Sequence, residues 1–241
     1  GTEKDILQAR SYFEKAALVG NSFAAYQLGK LYLGGEGILK DVSEALRWLS
    51  ISAKQKNQFA EYALGCLYLK GEDVPKDVAK TISYLQSAAI KGNEFAKYRL
   101  GKLYLIGEDM PKNVETALQY LTASANQGNQ YAQYTLGKLY LMGKDVVRDK
   151  EEAVKWFTLS AAQGNIYAQF FLDHIDESKE PSVMLATTRL LHHMSRIIGD
   201  TAAARMPPNQ HADRKLLQKI RAKKQAQGHK QNDHEQSMHT I

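Results

Sequence analysis

The stretch "YTLGKLYLMG" at residues 134–143 contains the pattern from which the architecture of this chain follows. Its Leu, Lys and Tyr residues are typical of a helix, yet Gly137 stands in the middle of the run. A glycine inside a helix costs about 0.5–1 kcal/mol relative to alanine. The same segment returns as "YQLGKLYLGG" at 26–35, "YALGCLYLKG" at 62–71 and "YRLGKLYLIG" at 98–107. Because every copy has the glycine, we expect the packing of the helix to require it.

The copies belong to an internal repeat with a period of 36 residues. Self-similarity at a fixed period of this size predicts a repeat architecture, in which each unit is stabilised by its neighbours. The residues that keep the period include Ala24, Ala60, Ala96, Ala132 and Ala168, then Leu28, Leu64, Leu100, Leu136 and Leu172, and then Tyr32, Tyr68, Tyr104 and Tyr140.

Each unit is predicted to contain two helices. An asparagine precedes the first helix and a glycine follows it, as expected for an N-cap and a left-handed C-cap. These caps are Asn21, Asn57, Asn93, Asn129 and Asn165, and Gly35, Gly71, Gly107 and Gly143. The second helix begins after Asp41, Asp77, Asn113 or Asp149. In "DVSE" at 41–44 and "DKEE" at 149–152 an acidic residue follows three positions later, which predicts a capping box.

The expected role of the interior glycine is close contact between helices. Without a side chain at Gly137, the first helix can approach its neighbour, while Ala, Leu and Tyr at i, i+4 and i+8 form one stripe beside it. Burying each Leu or Tyr contributes about 1.5–3 kcal/mol. This gain exceeds the penalty for glycine in a helix.

The pattern A-x-Y-x-L-G-x-L-Y-x-x-G, followed by D…A…WL…AA-x-x-G-N, resembles the Sel1-like repeat, a relative of the tetratricopeptide repeat. The resemblance covers residues 5–172. It implies an all-α, right-handed superhelix of about five 36-residue helix pairs that serves as a non-catalytic scaffold for partner proteins. In the last unit Asp173 replaces the glycine and "DESKEP" shortens the loop. We therefore expect a solenoid over residues 1–199 that is closed by a cap helix at 181–199.

A second resemblance concerns the C-terminal part of the chain. A repeat array followed by "LLHHMSRII" at 190–198 and a basic tail is similar to the C-terminal region of relaxases from conjugative and mobilisable elements of Gram-positive bacteria. It implies an accessory region of a DNA-mobilisation protein whose N-terminal nuclease domain is not among these residues. A stand-alone adaptor or regulatory protein with the same fold is the alternative.

The positive charge is concentrated at the C-terminus. The net charge is +6, and residues 200–241 contribute +4 of it through eight Lys and Arg against four Asp and Glu. The only cysteine, Cys66, excludes an intramolecular disulfide and fits a reducing compartment, so we expect a cytoplasmic protein. No signal-peptide pattern and no apolar run of the ~18–20 residues that a membrane span needs are present. Because the chain begins at Gly1 without Met, we expect it to be a piece of a longer protein.

The first helices are expected to line the concave face of the solenoid. Helical angles place a set of cations on the side of these helices that faces away from the packed stripe. This basic ladder consists of Lys30, Lys70, Arg99, Lys102 and Lys138. It predicts an acidic partner, either an acidic peptide or nucleic acid. A solvated row of cations without a ligand is the alternative.

A row of aromatic residues beside the ladder keeps the same period. We interpret it as packing between units rather than as a platform for a ligand. Its members are Phe23, Phe59, Phe95, Tyr131 and Tyr167.

The tail at 200–241 is a second candidate interface. Between positions 214 and 230 it has seven cations and no acid, namely Arg214, Lys215, Lys219, Arg221, Lys223, Lys224 and Lys230. If all of them met DNA phosphates, the log–log salt slope would be about −6. No Phe, Tyr or Trp follows Phe171, so this contact would be electrostatic and independent of base sequence. A solvated tail without a ligand is the alternative.

No arrangement of residues points to catalysis or to a cofactor. His192 and His193 are adjacent, so on a helix they point about 100° apart and do not share a metal. Cys66 and His174 are isolated in the sequence, and no Ser–His–Asp arrangement or glycine-rich phosphate loop is present. We therefore predict no catalytic residue, no metal, no cofactor, no small-molecule substrate and no membrane partner.

Overall fold

The computed structural model of the protein describes residues 3–35 and 37–175. These residues form ten α-helices and no β-strand. The helices are α1 (Glu3–Leu18), α2 (Ser22–Gly34), α3 (Val42–Lys54), α4 (Gln58–Lys70), α5 (Val78–Ile90), α6 (Glu94–Ile106), α7 (Val114–Asn126), α8 (Gln130–Met142), α9 (Lys150–Ala162) and α10 (Ile166–His174). The predicted cap helix at 181–199 and the basic tail at 200–241 lie outside the described residues.

The helices stack in the order of the chain. Each of α2, α4, α6 and α8 packs most extensively against the helix that follows it, and also contacts the helix that precedes it. We call α2, α4, α6, α8 and α10 the first helices, and α1, α3, α5, α7 and α9 the second helices. The prediction of an all-α solenoid built from helix pairs is confirmed for this part of the chain.

The predicted helix caps are confirmed. Each asparagine before a first helix accepts hydrogen bonds from the first turn, as Asn93 Oδ1 does from the Ala96 amide at 2.8 Å. The glycine after α2, α4, α6 and α8 has φ between +63° and +76°, the left-handed region that glycine adopts without strain. Its amide closes the helix by donating four residues back, as Gly143 does to the Leu139 carbonyl at 3.0 Å.

The predicted capping boxes are only half formed. Asp41 Oδ1 accepts a hydrogen bond from the Glu44 amide at 2.9 Å. The Glu44 carboxylate does not return the bond but pairs with Arg47 Nε at 3.2 Å. The Asp41 amide is already bonded to the carbonyl of Tyr32 on the preceding first helix, at 3.1 Å. The same arrangement occurs at Asp149, so the reciprocal half of the prediction is wrong.

The interior glycines lie where a first helix meets a side chain of the second helix. A Cβ at these glycines would lie 2.5–2.8 Å from a buried carbon, which is shorter than any ordinary contact. The pairs are Gly29 with Leu49, Gly65 with Leu85, Gly101 with Leu121, and Gly137 with Phe157. The expectation that packing requires the glycine is confirmed.

A buried serine joins the second helix to the first helix in three units. Ser52, Ser124 and Ser160 donate to the backbone carbonyl thirty residues earlier, at 2.6, 2.7 and 2.8 Å respectively. The unit at 58–93 has Ala88 at the equivalent position. In these three units the bond fixes the beginning of the first helix against the second helix of the same pair.

Candidate functional site

The solvent side of the first helices presents a row of aromatic rings. Four of them are large apolar side chains with substantial exposure, namely Phe23 at 53 %, Phe59 at 43 %, Phe95 at 40 % and Tyr131 at 43 %. A second ring follows each of them three residues later, on the same helix face. We call the combined set the ring row, which consists of Phe23, Tyr26, Phe59, Tyr62, Phe95, Tyr98, Tyr131, Tyr134 and Tyr167.

Rings of successive units contact each other. The centroid distances are 6.0 Å for Tyr26 and Phe59, 6.1 Å for Tyr62 and Phe95, 6.1 Å for Tyr98 and Tyr131, and 6.3 Å for Tyr134 and Tyr167. The rings therefore pack between units, as the sequence predicted. The first ring of each unit from α2 to α8 also keeps 40–53 % of its area exposed, so each of these units adds apolar surface to this side.

Lys30 and Lys138 lie against this surface toward its two ends. The Nζ of Lys30 is 5.7 Å from the ring centroid of Tyr26, and that of Lys138 is 5.3 Å from the ring centroid of Tyr134. A cation over an exposed aromatic ring is stabilised by about 0.5–1 kcal/mol. These two lysines thus add positive charge to the ring row.

Arg99 and Lys102 lie near its middle, one turn apart on α6. The Arg99 guanidinium is beside the Tyr62 hydroxyl and the Cys66 thiol of the preceding unit. Burial raises the pKa of Tyr62 to about 12 and also raises the pKa of the Cys66 thiol. Burial, together with the charge of Arg99, lowers the pKa of Lys102. Within the described residues, neither cation forms a salt bridge with a carboxylate.

The predicted basic ladder is unevenly spaced. The cations that share one register are Lys30, Lys102 and Lys138. The second unit has Cys66 in that register, and Lys70 lies one turn later, at the end of α4. The Nζ of Lys70 is 3.8 Å from Glu72, but its charge also acts on Cys66, as does that of Arg99. The structure therefore brings Lys70 and Arg99 close to the same thiol.

Some predicted positions cannot be placed on this face. The seven tail cations between Arg214 and Lys230, like His192 and His193, lie outside the described residues. In the described ranges no helix is both long and apolar enough to cross a bilayer. The same ranges contain no cluster of three or more His, Cys, Asp or Glu side chains that could hold a metal ion.

Sequence reasoning missed the second ring of each unit and the contact between Arg99 and Tyr62. The tyrosines do keep the 36-residue period, at Tyr26, Tyr62 and Tyr98. The repeat period therefore predicts the second ring. It does not predict the contact of Arg99 with the preceding unit, because that contact depends on how one unit is rotated against the next.

The boundaries of the helix pairs coincide with those of a known repeat. The family model described as Sel1 repeat matches residues 1–21, 22–57, 58–93, 95–129 and 130–165, which is well over half of the chain. The chain belongs to the Sel1 repeat family. No match was found among curated proteins.

Several solved structures are similar to this chain. A Sel1 repeat protein from Oxalobacter formigenes is 29 % identical with a TM-score of 0.70, over 91 % of this chain and 80 % of that chain. The protective antigen c5321 of uropathogenic Escherichia coli, which displays an SLR fold, is 28 % identical with a TM-score of 0.65, over 86 % of this chain and 47 % of that one. The immunity protein Pa5087 from Pseudomonas aeruginosa is 27 % identical with a TM-score of 0.52, over 73 % of this chain and 66 % of that chain.

Proposed function

We propose that this chain is a non-catalytic scaffold that binds an acidic segment of a partner protein on the solvent side of its first helices. Sel1 repeat proteins generally act as scaffolds for protein interactions. The observation that supports an acidic partner is the charge of the ring row. Arg99 and Lys102 lie beside exposed rings, and in the described part of the chain neither of them forms a salt bridge with a carboxylate.

The loops between helices differ from the ring row in this respect. There Lys40 contacts Asp73 and Lys112 contacts Asp145 in the following unit, each at 2.5 Å. Those lysines are neutralised within the fold. A partner that supplies carboxylates would neutralise Arg99 and Lys102 in the same way, while its apolar side chains cover the exposed rings.

Site-specific photocrosslinking in the source cells tests which side binds. A benzophenone amino acid replaces either Phe95 on the ring row or Leu159 on α9, which are 40 % and 44 % exposed. Adducts are expected from the Phe95 position only. The purified partner should then bind the charge-reversed variant K30E/K102E/K138E about tenfold more weakly, a loss of about 1.4 kcal/mol. Equal adducts from both positions, or an unchanged affinity, would contradict the proposal.

We also propose that the chain is the accessory C-terminal region of a relaxase, on the basis of its sequence resemblance alone. A stand-alone cytoplasmic adaptor is the alternative. An immunoblot of source cells with an antibody against the repeats distinguishes the two. A band well above 27 kDa supports the relaxase context, whereas a band near 27 kDa supports the adaptor. Fractionation of the same cells tests the cytoplasmic location.

The basic tail is proposed as a separate, electrostatic contact to DNA, because its seven cations from Arg214 to Lys230 have no acid among them. Fluorescence anisotropy with double-stranded DNA over a salt series compares residues 1–241 with residues 1–199. For the full chain, the logarithm of the binding constant should fall with the logarithm of the salt concentration with a slope of up to about −6. The shortened chain should not show this salt dependence. An identical slope for both chains would contradict the proposal.

A further inference from the structure

We infer that Arg99 and Lys102 form the anchor of the binding face and together hold a carboxylate group from an acidic side chain of the partner. The inference rests on the proposed function, because it names the point on the same face at which the partner is fixed. It adds that the acidic residue is flanked by apolar or aromatic residues.

The first argument is the local charge. Two cations three residues apart on one helix face repel each other, and the fold normally separates or neutralises such pairs. Here Arg99 lies beside Tyr62, neither Arg99 nor Lys102 forms a salt bridge within the described residues, and the charge that acts on Lys102 is that of Arg99. A carboxylate that accepts hydrogen bonds from both side chains would remove the repulsion. An arginine is suited to this contact because its planar guanidinium can bind both carboxylate oxygens.

The second argument separates this pair from the other cations of the face. Lys30 and Lys138 each lie over a tyrosine ring of their own helix. Lys70 is 66 % exposed at its side chain and has Glu72 at 3.8 Å. Lys102 is partly buried, and Arg99 beside it is exposed and open to an incoming group. The central pair therefore combines adjacent positive charges with the partial burial of one of them, Lys102.

The third argument favours an acidic peptide over a single-stranded nucleic acid. Stacking of a base requires an aromatic ring with an open flat face. The rings on either side of Arg99 are already tilted against each other, with Tyr62 and Phe95 at 43° and Tyr98 and Tyr131 at 33°. Apolar side chains of a peptide need only an apolar surface, which these rings provide.

The test uses fluorescein-labelled random copolymer of glutamate and tyrosine, with polyglutamate and oligothymidine as comparison probes. Binding to the full chain is measured by anisotropy at constant ionic strength. The unaltered protein should bind the copolymer more tightly than it binds either comparison probe. Circular dichroism and thermal unfolding verify that each variant is folded.

Three variants each remove two positive charges. R99Q/K102Q removes the anchor, K30Q/K138Q removes the other cations of the ring row, and K54Q/K56Q removes two exposed lysines at the end of α3. The anchor variant should lose about tenfold in affinity, or more, and each of the other two less than about threefold.

The other outcomes separate the inference from the proposed function. Equal losses in the two ring-row variants, with K54Q/K56Q unaffected, would overturn the inference that Arg99 and Lys102 are the anchor. The proposed binding on the solvent side of the first helices would still stand. Equal losses in all three variants, or no binding of the copolymer at all, would overturn both. Tighter binding of oligothymidine through Arg99 and Lys102 would show that the anchor holds a phosphate and would overturn the assignment to a carboxylate.

Discussion

The two sides of each first helix differ in how strictly they repeat. On the packed side every first helix from α2 to α8 has the same alanine, leucine and glycine, and in α6 these are the buried residues Ala96, Leu100 and Gly101. On the solvent side one register contains Lys30, Cys66, Lys102 and Lys138. The packed side fixes the distance between helices, so it tolerates little change. The solvent side is free to vary, and we propose that the binding properties of the stack depend on it.

The largest effects on stability are expected on the packed side. Leu121 is fully buried, and its Cγ lies 2.7 Å from the position of a Cβ at Gly101. Leu121→Ala should therefore lower the free energy of unfolding by about 2–5 kcal/mol. Gly101→Ala should lower it by about 1–3 kcal/mol, because the added methyl group forces Leu121 to move.

The double variant measures the contact itself. With Leu121 truncated, the alanine at position 101 occupies space that the leucine has left, so the loss in the double variant should be smaller than the sum of the single losses. Urea unfolding of all four proteins gives the coupling energy. Additive losses would show that the two positions do not compete for the same space.

A smaller effect is expected where a turn departs from the repeat. Lys56 has φ of +64° at the position where Gly92 and Gly128 stand in other turns. The left-handed conformation costs an L-residue about 1–2 kcal/mol. Glycine avoids this cost, but it loses more conformational entropy on folding, which offsets part of the gain. Lys56→Gly should therefore raise the free energy of unfolding by about 1 kcal/mol in urea unfolding.

The reverse substitution, Gly92→Lys, is the matched control. A Cβ at Gly92 would have no atom within 4 Å, so its loss of stability would come from the backbone alone. Changes of the same sign in both variants would contradict this explanation.

These positions also show which features the sequence could predict. The caps follow from local backbone requirements, and Gly101 follows from a packing contact that each unit repeats. A residue that either requirement selects recurs at the repeat period. The capping box failed because a tertiary bond from the Asp41 amide to the Tyr32 carbonyl replaced a local one. The contact between Arg99 and Tyr62 was not predictable, since a repeat period gives the register along a helix but not the rotation between units.

The unit at 58–93 lacks the serine hydrogen bond of the other units, and a substitution can add it. Ala88 is fully buried at the position where Ser52, Ser124 and Ser160 bond to a backbone carbonyl. Ala88→Ser should add that bond and raise the free energy of unfolding by about 0.5–1 kcal/mol, after the lower helix propensity of serine is subtracted. Thermal unfolding measures the gain, and Ser124→Ala should show a loss of similar size. A loss in both variants would mean that the space at Ala88 does not admit a hydroxyl.

The smallest effect on stability is expected at Lys102, on the solvent side. Lys102→Gln should change the free energy of unfolding at pH 7 by no more than about 0.5 kcal/mol, in the stabilising direction. The reason is that burial and the charge of Arg99 lower the pKa of Lys102 in the folded protein. The folded chain then binds the proton less strongly than the unfolded chain does, so the protonated lysine opposes folding.

The pH dependence gives the sign of this effect independently. As the pH rises from the lowered pKa to the ordinary lysine value of about 10.4, the penalty in the unaltered protein is relieved. The advantage of Lys102→Gln should therefore disappear above about pH 11, which urea unfolding at both pH values measures. A loss at pH 7 as large as that of Leu121→Ala would place Lys102 among the packing residues. The separation of a packed side from a binding side would then fail at the residue on which the anchor depends.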